Sequence, residues 1–237
     1  MIDVVVLAAG KGERMNSSVN KMFHEIDRIP VLYRTLARLN EISNVNRIVV
    51  IIQEQDQHRF EEMTARFGAI DKIEAAIQGG QKRSDSVRNG LQYILQNPAS
   101  DIVMTHDGAR PFFSSELVQC LETTVKPRCI AIPALSIFET IRQKKKDQLA
   151  KLVDRDTYFT IQTPQAFEAA SIDECFLSSK QALLDLSDEA AYFEEKGYSI
   201  ELVKGEKWNI KITNQEDIIW GELLLSGYPE LRLKAHE

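Results

Sequence analysis

The sequence is poor in the residues that build disulfide frameworks and metal sites. Its 237 residues include three cysteines, Cys120, Cys129 and Cys175, with no C-x-x-C pair, and four histidines with no paired metal-ligand spacing. Reduced thiols in a reducing compartment fit this pattern better than disulfides or a zinc site. Neither a disulfide-rich secreted domain nor a zinc protein is therefore expected.

Long apolar runs and an excess of positive charge are also lacking. No hydrophobic stretch approaches the roughly 20 residues of a membrane-spanning helix, and the chain opens on a strand-like run instead of a charged and apolar leader. The net charge of −6 argues against a general nucleic-acid or membrane surface. We expect a cytoplasmic protein without nucleic-acid or membrane partners, in which a local basic cluster holds any anionic ligand.

Strand-like and helical segments alternate along most of the chain. Strands are predicted at Ile2–Leu7, Arg47–Ile52, Lys72–Ile77, Asp101–Thr105 and Arg128–Pro133, and helices at Val31–Glu41, Gln55–Phe67, Ser84–Leu95 and Ser115–Thr124. This alternation indicates βαβ units in an α/β fold, a three-layer sandwich around a mostly parallel central sheet. The length suits one large domain, which we expect over residues 1–237, although two small domains would also fit it.

The alternation ends after Pro133. Residues 135–156 are typical of two strands joined by the charged run 143–148, which predicts a protruding β-hairpin arm. Such a hairpin is poorly stable unless another surface covers it, and a second subunit is the simplest cover. The segment therefore predicts a homodimer formed through this arm, with a solvated surface hairpin as the alternative.

The first predicted strand runs into a loop of small side chains followed by basic residues. The loop begins with Leu7, Ala8, Ala9 and Gly10. A backbone without bulky side chains can approach a ligand closely and offer N–H groups to phosphate oxygens, while Arg14 and Lys21 supply cationic groups. The glycines match neither the dinucleotide fingerprint nor the P-loop. The alternative is an ordinary glycine-rich turn with solvated basic residues.

Two further loops follow later strands and should meet the first at the carboxyl edge of the sheet. In one of them, the Gly80 backbone and the Ser86 hydroxyl suit a nucleoside, with Arg83 near the phosphates; a simple helix cap is the alternative. In the other, Asp107 is well placed to bind Mg²⁺ or a sugar hydroxyl, or else to pair with Arg110.

Two polar stretches lie in the second half of the chain. Residues 162–167 are polar and rigid where a core element is expected, which suggests contact with a ligand or with another loop. Lys211 lies in the stretch 208–213, just before a helix predicted at Asn214–Leu224 and capped by Asn214. Taken alone, this lysine reads as an ordinary strand residue.

These motifs together resemble one family. In chain order they are Leu7-Ala-Ala-Gly-x-Gly-x-Arg-Met, Asn20-Lys21, Gly79-Gly80-x-x-Arg-x-x-Ser86-Val, His106-Asp-Gly-Ala-Arg-Pro, Asp154-Arg155, Gln162-Thr-Pro-Gln and Asn209-Ile-Lys-Ile-Thr. Over nearly the whole chain the sequence resembles the 2-C-methyl-D-erythritol 4-phosphate cytidylyltransferases, CTP-using enzymes of the non-mevalonate isoprenoid pathway. The resemblance implies a Rossmann-like nucleotidyltransferase fold and a homodimer.

The resemblance also implies residue roles. Arg14 and Lys21 would stabilise the transition state, and Arg155 and Lys211 would position the methylerythritol phosphate. The backbone of residues 7–10, Gly80 and Ser86 would surround the cytidine, Asp107 would lie close to Mg²⁺ and the acceptor, and Thr140 with Arg155 would reach the pocket of the neighbouring subunit. Each residue stands at the matching position of this chain.

The chain departs from the usual family pattern at several positions, among them Met22, where glutamine is usual. Asn20 stands where proline is usual, which keeps the charge of Lys21 but loses a rigid turn; Glu139 and Gln81 also differ. Two alternative functions remain at this point. One is a ribitol 5-phosphate cytidylyltransferase of teichoic-acid synthesis, which the stretch 202–206 slightly favours. The other is a nucleotide-binding module without catalysis.

Overall fold

The computed structural model describes residues 1–10, 20–96, 98–145, 148–172 and 189–233. The strands are β1 (Ile2–Leu7), β2 (Glu25–Ile26), β3 (Ile29–Pro30), β4 (Val45–Ile52), β5 (Ile73–Gln78), β6 (Ile102–Asp107), β7 (Cys129–Ser136), β8 (Arg142–Lys145), β9 (Gln148–Leu152), β10 (Phe159–Ile161), β11 (Gln165–Glu168) and β12 (Ser199–Lys204). The helices are α1 (Val31–Glu41), α2 (Gln57–Phe67), α3 (Arg83–Gln96), α4 (Ser115–Thr124), α5 (Glu189–Glu195) and α6 (Gln215–Gly227).

Eight of these strands form the central sheet. Their order is β10-β7-β11-β6-β1-β4-β5, and β12 pairs with β7. The neighbours of β1, the β4–β5 pair and the β7–β12 pair are parallel, whereas β11 runs antiparallel between β6 and β7. The sheet is therefore mixed but mostly parallel, which confirms the predicted α/β class.

The two faces of the sheet carry separate hydrophobic cores. On β1, Val4 and Val6 pack in a cluster that includes side chains of α1, α2 and α4, whereas Val5 and Leu7 pack in a second cluster with side chains of α3 and α5. Successive side chains of a strand point to opposite faces, so a strand covered on both sides becomes apolar throughout. This arrangement confirms the three predicted layers.

Most predicted elements are found, with shifts at their ends. β1, α1 and α4 have the predicted bounds, while β6 and β7 continue to Asp107 and Ser136, beyond the predicted Thr105 and Pro133. Pairing of β6 with β1 and of β7 with β10 extends these two strands, and such tertiary contacts are invisible in local sequence. Residues 165–168, which the sequence marks only as polar and rigid, form β11 in the middle of the sheet.

The segment predicted as an arm contains the expected hairpin. Strands β8 and β9 pair antiparallel in a two-stranded sheet of their own, with Arg142 opposite Leu152. Leu135 and Ser136 pair with β10, so the first two residues of the predicted arm belong to the central sheet. Phe138 and Leu152 remain 65% and 59% exposed, as expected of apolar side chains that this chain alone does not cover.

In the part of the chain that the structure describes, none of the helices combines the length and the apolar character that crossing a bilayer requires.

A buried ion pair at the start of β1 makes a testable contribution to stability. Asp3, fully buried, lies 2.9 Å from Arg47 and accepts hydrogen bonds from Asn46 and Ser100. Asp3→Ala leaves these donors without their acceptor, so we expect the free energy of unfolding in urea to fall by about 3 kcal/mol. Arg47 also pairs with the half-exposed Glu74, and Glu74→Ala should cost less than about 1 kcal/mol. Equal losses for the two variants would contradict this assignment.

Candidate active site

A pocket of about 440 Å³ opens at the carboxyl edge of the central sheet. Its lining comes from the loops after β1, β4, β5 and β6 and from the stretch before α6: Leu7, Ala9, Gly10, Lys21, Met22, Gln53, Gly80, Gln81, Lys82, Arg83, Ser86, Asp107, Ala109, Lys211 and Thr213. Loops at the carboxyl ends of parallel strands are the usual ligand site of such sheets. The structure thus brings together the loops that the sequence singled out.

The loop after β1 forms one wall of the pocket. The Ala8 N–H donates to the Ile51 carbonyl at 2.8 Å, so this amide extends the sheet and is not available to a ligand. Ala9 and Gly10 line the pocket. The side chain of Gln53 donates to the Ala9 carbonyl at 2.8 Å. Gln53 thereby fixes the loop, a role that sequence reasoning missed because a single glutamine carries no motif.

The loop after β5 requires its glycines for steric reasons. A Cβ on Gly79 would lie 2.4 Å from the Ala9 Cβ, and one on Gly80 would lie 2.1 Å from the Asp85 Cβ. The Gly80 N–H donates to the Ser86 hydroxyl at 3.1 Å, and Ser86 is almost fully buried. The loops after β1 and β5 therefore lie in direct contact, and Ser86 holds the second one in shape beside the pocket.

Asp107, at the end of β6, is surrounded by cations. A carboxylate oxygen lies 2.8 Å from the Lys211 Nζ and 3.6 Å from Arg110, and the other oxygen lies 3.6 Å from Arg83. Burial by itself would raise the pKa of Asp107, but the three cations outweigh it and hold the pKa far below its ordinary value. Asp107 is therefore a permanent anion that orients Lys211 at the pocket.

Arg83 bridges Asp107 and a second buried carboxylate. Its guanidinium makes hydrogen bonds of 2.5 and 3.2 Å to Glu189, whose Oε2 also accepts from the Thr105 hydroxyl at 2.9 Å. The predicted position of Arg83 at the pocket is observed, but its charge is already paired there. Glu189 was not predicted, because an acidic residue at a helix start is common and carries no sign of its partner.

The stretch that carries Lys211 is an irregular segment and not a strand. Asn209 donates to the Thr163 carbonyl at 2.9 Å, and Gln162 donates to the Asn209 carbonyl at 3.1 Å. The Ile212 N–H donates to the Ala109 carbonyl at 2.9 Å. The polar stretch 162–167 thus contacts another loop, which is one of the two predicted alternatives, and it fixes the backbone on which Lys211 lies.

Asn214 begins the helix that follows, as the sequence predicts. Its side chain accepts from the Asp217 N–H, and the Asp217 carboxylate accepts from the Asn214 N–H in return, which makes a capping box at the start of α6. The same carboxylate accepts from the hydroxyl and N–H of Thr213 at 2.6 Å each. Helix α6 therefore holds the end of the Lys211 segment.

His106, next to Asp107, is a buried structural residue. The Asp107 N–H donates to the Thr163 hydroxyl, which in turn donates to the His106 Nδ1 at 3.1 Å, and the His106 Nε2–H donates to the Arg110 carbonyl at 3.0 Å. Burial lowers the pKa of His106 from 6.5 to about 4. The imidazole is therefore neutral in the folded protein near pH 7.

This neutral histidine predicts a pH-dependent stability. Because the folded pKa lies below the unfolded one, the unfolded chain takes up a proton first, and stability is lost as the pH falls from 6.5 towards 4. We expect the free energy of unfolding to fall by up to about 1.4 kcal/mol per pH unit from this group. His106→Gln should flatten the slope, whereas the exposed control His58→Gln should not. An unchanged slope in His106→Gln would refute the assignment.

The remaining predicted residues lie in different places. Lys21 begins a 3₁₀ turn, Lys21–Phe23, and lines the pocket. Arg14 lies outside the described residues. Thr140 and Arg155 are exposed near the β8–β9 hairpin and do not line the pocket, and an Arg155 N–H donates to the Phe138 carbonyl. The structure thus gathers Lys21, Lys211 and Asp107 but not Thr140 or Arg155.

Asp107 supplies the carboxylate that a metal ion in the pocket would need. Within the described ranges, no three histidine, cysteine, aspartate or glutamate residues are grouped so that they could hold a metal ion. Asp107 is a single ionised carboxylate at the pocket wall. Mg²⁺ commonly binds one or two carboxylates, several waters and the phosphates of its substrate. The pocket therefore fits a metal that arrives with a nucleotide better than a permanently bound ion.

Comparisons with known proteins identify the family of this chain. The family model for 2-C-methyl-D-erythritol 4-phosphate cytidylyltransferase matches residues 2–227. The enzyme of that name from Geobacillus kaustophilus is 36% identical over 225 residues, covering 95% of this chain and 97% of the relative. The one from Clostridium botulinum is 34% identical over 227 residues, covering 94% and 96%.

Solved structures give the same result. A 4-diphosphocytidyl-2C-methyl-D-erythritol synthase from Anaerococcus prevotii superimposes with a TM-score of 0.78 at 29% identity, covering 95% of this chain and 96% of that one. A 2-C-methyl-D-erythritol 4-phosphate cytidylyltransferase from Thermus thermophilus gives 0.75 at 25% identity, covering 94% and 98%. With a pocket of matching motifs and relatives aligned over nearly their full length, the chain belongs to the 2-C-methyl-D-erythritol 4-phosphate cytidylyltransferase family.

Proposed function

We infer that the chain transfers the cytidylyl group of CTP to 2-C-methyl-D-erythritol 4-phosphate, giving CDP-methylerythritol and pyrophosphate in the non-mevalonate isoprenoid pathway. Membership of the family supports this reaction. The structural observation that supports this chemistry is that Lys21, Lys211 and Asp107 line one pocket, together with Gly80. These side chains come from distant parts of the sequence, and the tertiary structure brings them to one pocket.

The reaction is a displacement at phosphorus. An oxygen of the acceptor phosphate forms a bond to the α-phosphorus of CTP, and the bond from that phosphorus to the bridging oxygen breaks, so that pyrophosphate leaves with the electron pair. Negative charge grows on the bridging and non-bridging oxygens, where fixed cations stabilise it. The attacking phosphate is already ionised, so the enzyme needs positioning and charge but no strong base.

The cations divide into two roles in this proposal. Lys21, at the pocket wall, and Arg14 stabilise the charge that grows around the α-phosphorus. Lys211, held 2.8 Å from Asp107, and Arg155 bind the acceptor phosphate. The walls that would hold the nucleotide are Leu7, Ala9, Gly10, Gly80, Arg83 and Ser86, whereas Ala8 would support them from behind through its bond to Ile51. A lysine fixed by a permanent anion keeps its position when the phosphate arrives, which lowers the entropic cost of binding.

A divalent metal fits the same pocket. Asp107 would hold Mg²⁺ together with the CTP phosphates, in the way that the ion usually binds in nucleotide sites. When bound, the metal neutralises phosphate charge and polarises the reacting phosphoryl group. Asp107 would be the protein ligand of the metal, since the surrounding cations keep its carboxylate ionised.

The β8–β9 hairpin is proposed to complete the site of a second subunit, and the whole chain to act as one nucleotidyltransferase domain. Thr140 and Arg155 lie outside the pocket of their own chain, and Phe138 and Leu152 are exposed on the same segment. A homodimer that buries these apolar side chains against a neighbour would carry Thr140 and Arg155 to the neighbour's acceptor phosphate. Their roles in this chain rest on this arrangement.

An acceptor assay tests the inferred reaction. The purified protein is incubated with Mg²⁺, CTP and either methylerythritol phosphate or ribitol 5-phosphate, and pyrophosphate release is followed. We expect at least a 100-fold higher kcat/KM with methylerythritol phosphate, on the order of what a site built around polar groups of the acceptor provides. Preference for ribitol 5-phosphate would assign the sister activity, and CTP binding without release would indicate a binding module.

A further inference from the structure

The loop between β4 and α2 carries a side chain that contacts the turn of Lys21. The Asp56 Oδ2 lies 2.6 Å from the Asn20 Nδ2, and both side chains are buried, with Asp56 only 2% exposed. These residues are 36 positions apart in the sequence, and Lys21 follows directly after Asn20. The bond therefore joins the residue before Lys21 to the loop between β4 and α2.

The Asp56 side chain does not cap the helix that follows it. Asp56 ends the 3₁₀ turn Glu54–Asp56 and directly precedes α2, and its side chain accepts no hydrogen bond from the first N–H groups of that helix. Its carboxylate instead accepts from Asn20, with Arg59 3.8 Å away on the other oxygen. The carboxylate of Asp56 therefore serves the contact with Asn20, next to Lys21, and does not cap α2.

Asn20 uses its other polar groups to shape the turn that presents Lys21. Its Oδ1 accepts from the Met22 N–H at 3.2 Å, and its carbonyl accepts from the Phe23 N–H at 2.9 Å. Its φ of −58° lies within the range that a proline ring imposes. Three hydrogen bonds thus hold at Asn20 the backbone shape that the more usual proline would fix covalently.

From this geometry we propose that Asn20 and Asp56 are positioning residues that set the location of Lys21 for cytidylyl transfer. The proposal rests on the proposed function, in which Lys21 stabilises charge at the α-phosphorus. The pair does not touch the substrate. It acts by fixing the backbone from which the lysine extends, and displacement of a catalytic group by about 1 Å costs on the order of 100-fold in rate.

Steady-state kinetics and a combined variant test the proposal. We expect Asp56→Ala to lower kcat at least about 10-fold, with the KM for CTP changed less than about two-fold. In a Lys21→Ala background the same substitution should cause no further loss, because the pair acts through that lysine. Adding Asn20→Pro to Asp56→Ala should restore most of kcat, since the ring fixes the same φ. The neighbouring control Gln57→Ala, which loses only an exposed bond to Glu61, should match the wild type.

Hydrogen exchange of the amides in residues 20–23 gives a second readout that needs no turnover. Exchange there should be faster in Asp56→Ala than in the wild type and in Gln57→Ala, and it should slow again when Asn20→Pro is added. The proposal is overturned if exchange is unchanged, or if Asp56→Ala lowers kcat equally with and without Lys21. If the wild-type protein shows no cytidylyl transfer, the proposed function fails by itself, and the exchange result alone decides whether the pair positions Lys21.

Discussion

Lys21→Ala should lower kcat for cytidylyl transfer on the order of 100- to 1,000-fold, the loss found when one preorganised donor to a developing charge is removed. Lys21 begins the 3₁₀ turn Lys21–Phe23 and lines the pocket, so its charge is held at a defined place. Binding of CTP should weaken much less, because the charge around the α-phosphorus grows only in the transition state.

The measurement compares kcat from pyrophosphate release with the dissociation constant of CTP from calorimetry. Lys126→Ala removes an exposed lysine in the turn between α4 and β7 and serves as a matched control with unchanged kcat and CTP affinity. A variant that loses CTP affinity and kcat to the same extent would make Lys21 a binding residue only. That result would favour the nucleotide-binding alternative over an enzyme.

Two inactive variants should restore activity when they are combined in one dimer. Lys21→Ala disables the pocket of its own subunit, and Arg155→Ala is expected to disable the pocket of the partner. In a heterodimer purified through two different affinity tags, one pocket carries both defects and the other carries neither. The heterodimer should therefore reach about half of the wild-type kcat per dimer, whereas each homodimer should stay at about 1% of the wild-type kcat.

The heterodimer result depends on where Arg155 works. If Arg155 instead acts in the pocket of its own chain, each pocket of the heterodimer carries one defect, and the purified heterodimer stays inactive. If the two tagged copies do not purify together, the dimer itself is refuted. The exposed position of Arg155 outside the pocket of its own chain is the reason to expect complementation.

Some features of the site could be read from the sequence because they depend on local chemistry. Gly79 and Gly80 are required where any Cβ would clash, and Asp107 directly follows a buried strand. Other features depend on partners that are distant in the sequence. No motif near Glu189 indicates its hydrogen bond to Arg83, because the two residues are 106 positions apart in the sequence. Similarly, the sequence indicates only that Asn20 loses the rigid turn of a proline, because its hydrogen bond to Asp56 spans 36 positions.

The sequence by itself determined the alternation of strands and helices, the apolar strands buried on both faces, and the order of motifs that identifies the family. These are properties of short segments, since hydrophobic period and turn chemistry act over a few residues. Only the tertiary structure decided that β11 enters the sheet antiparallel, that three cations surround Asp107, and that Arg155 lies away from the pocket of its own chain. Charges and hydrogen bonds act through space over a few ångströms, so their partners are fixed by the packing of the whole chain and not by position along it.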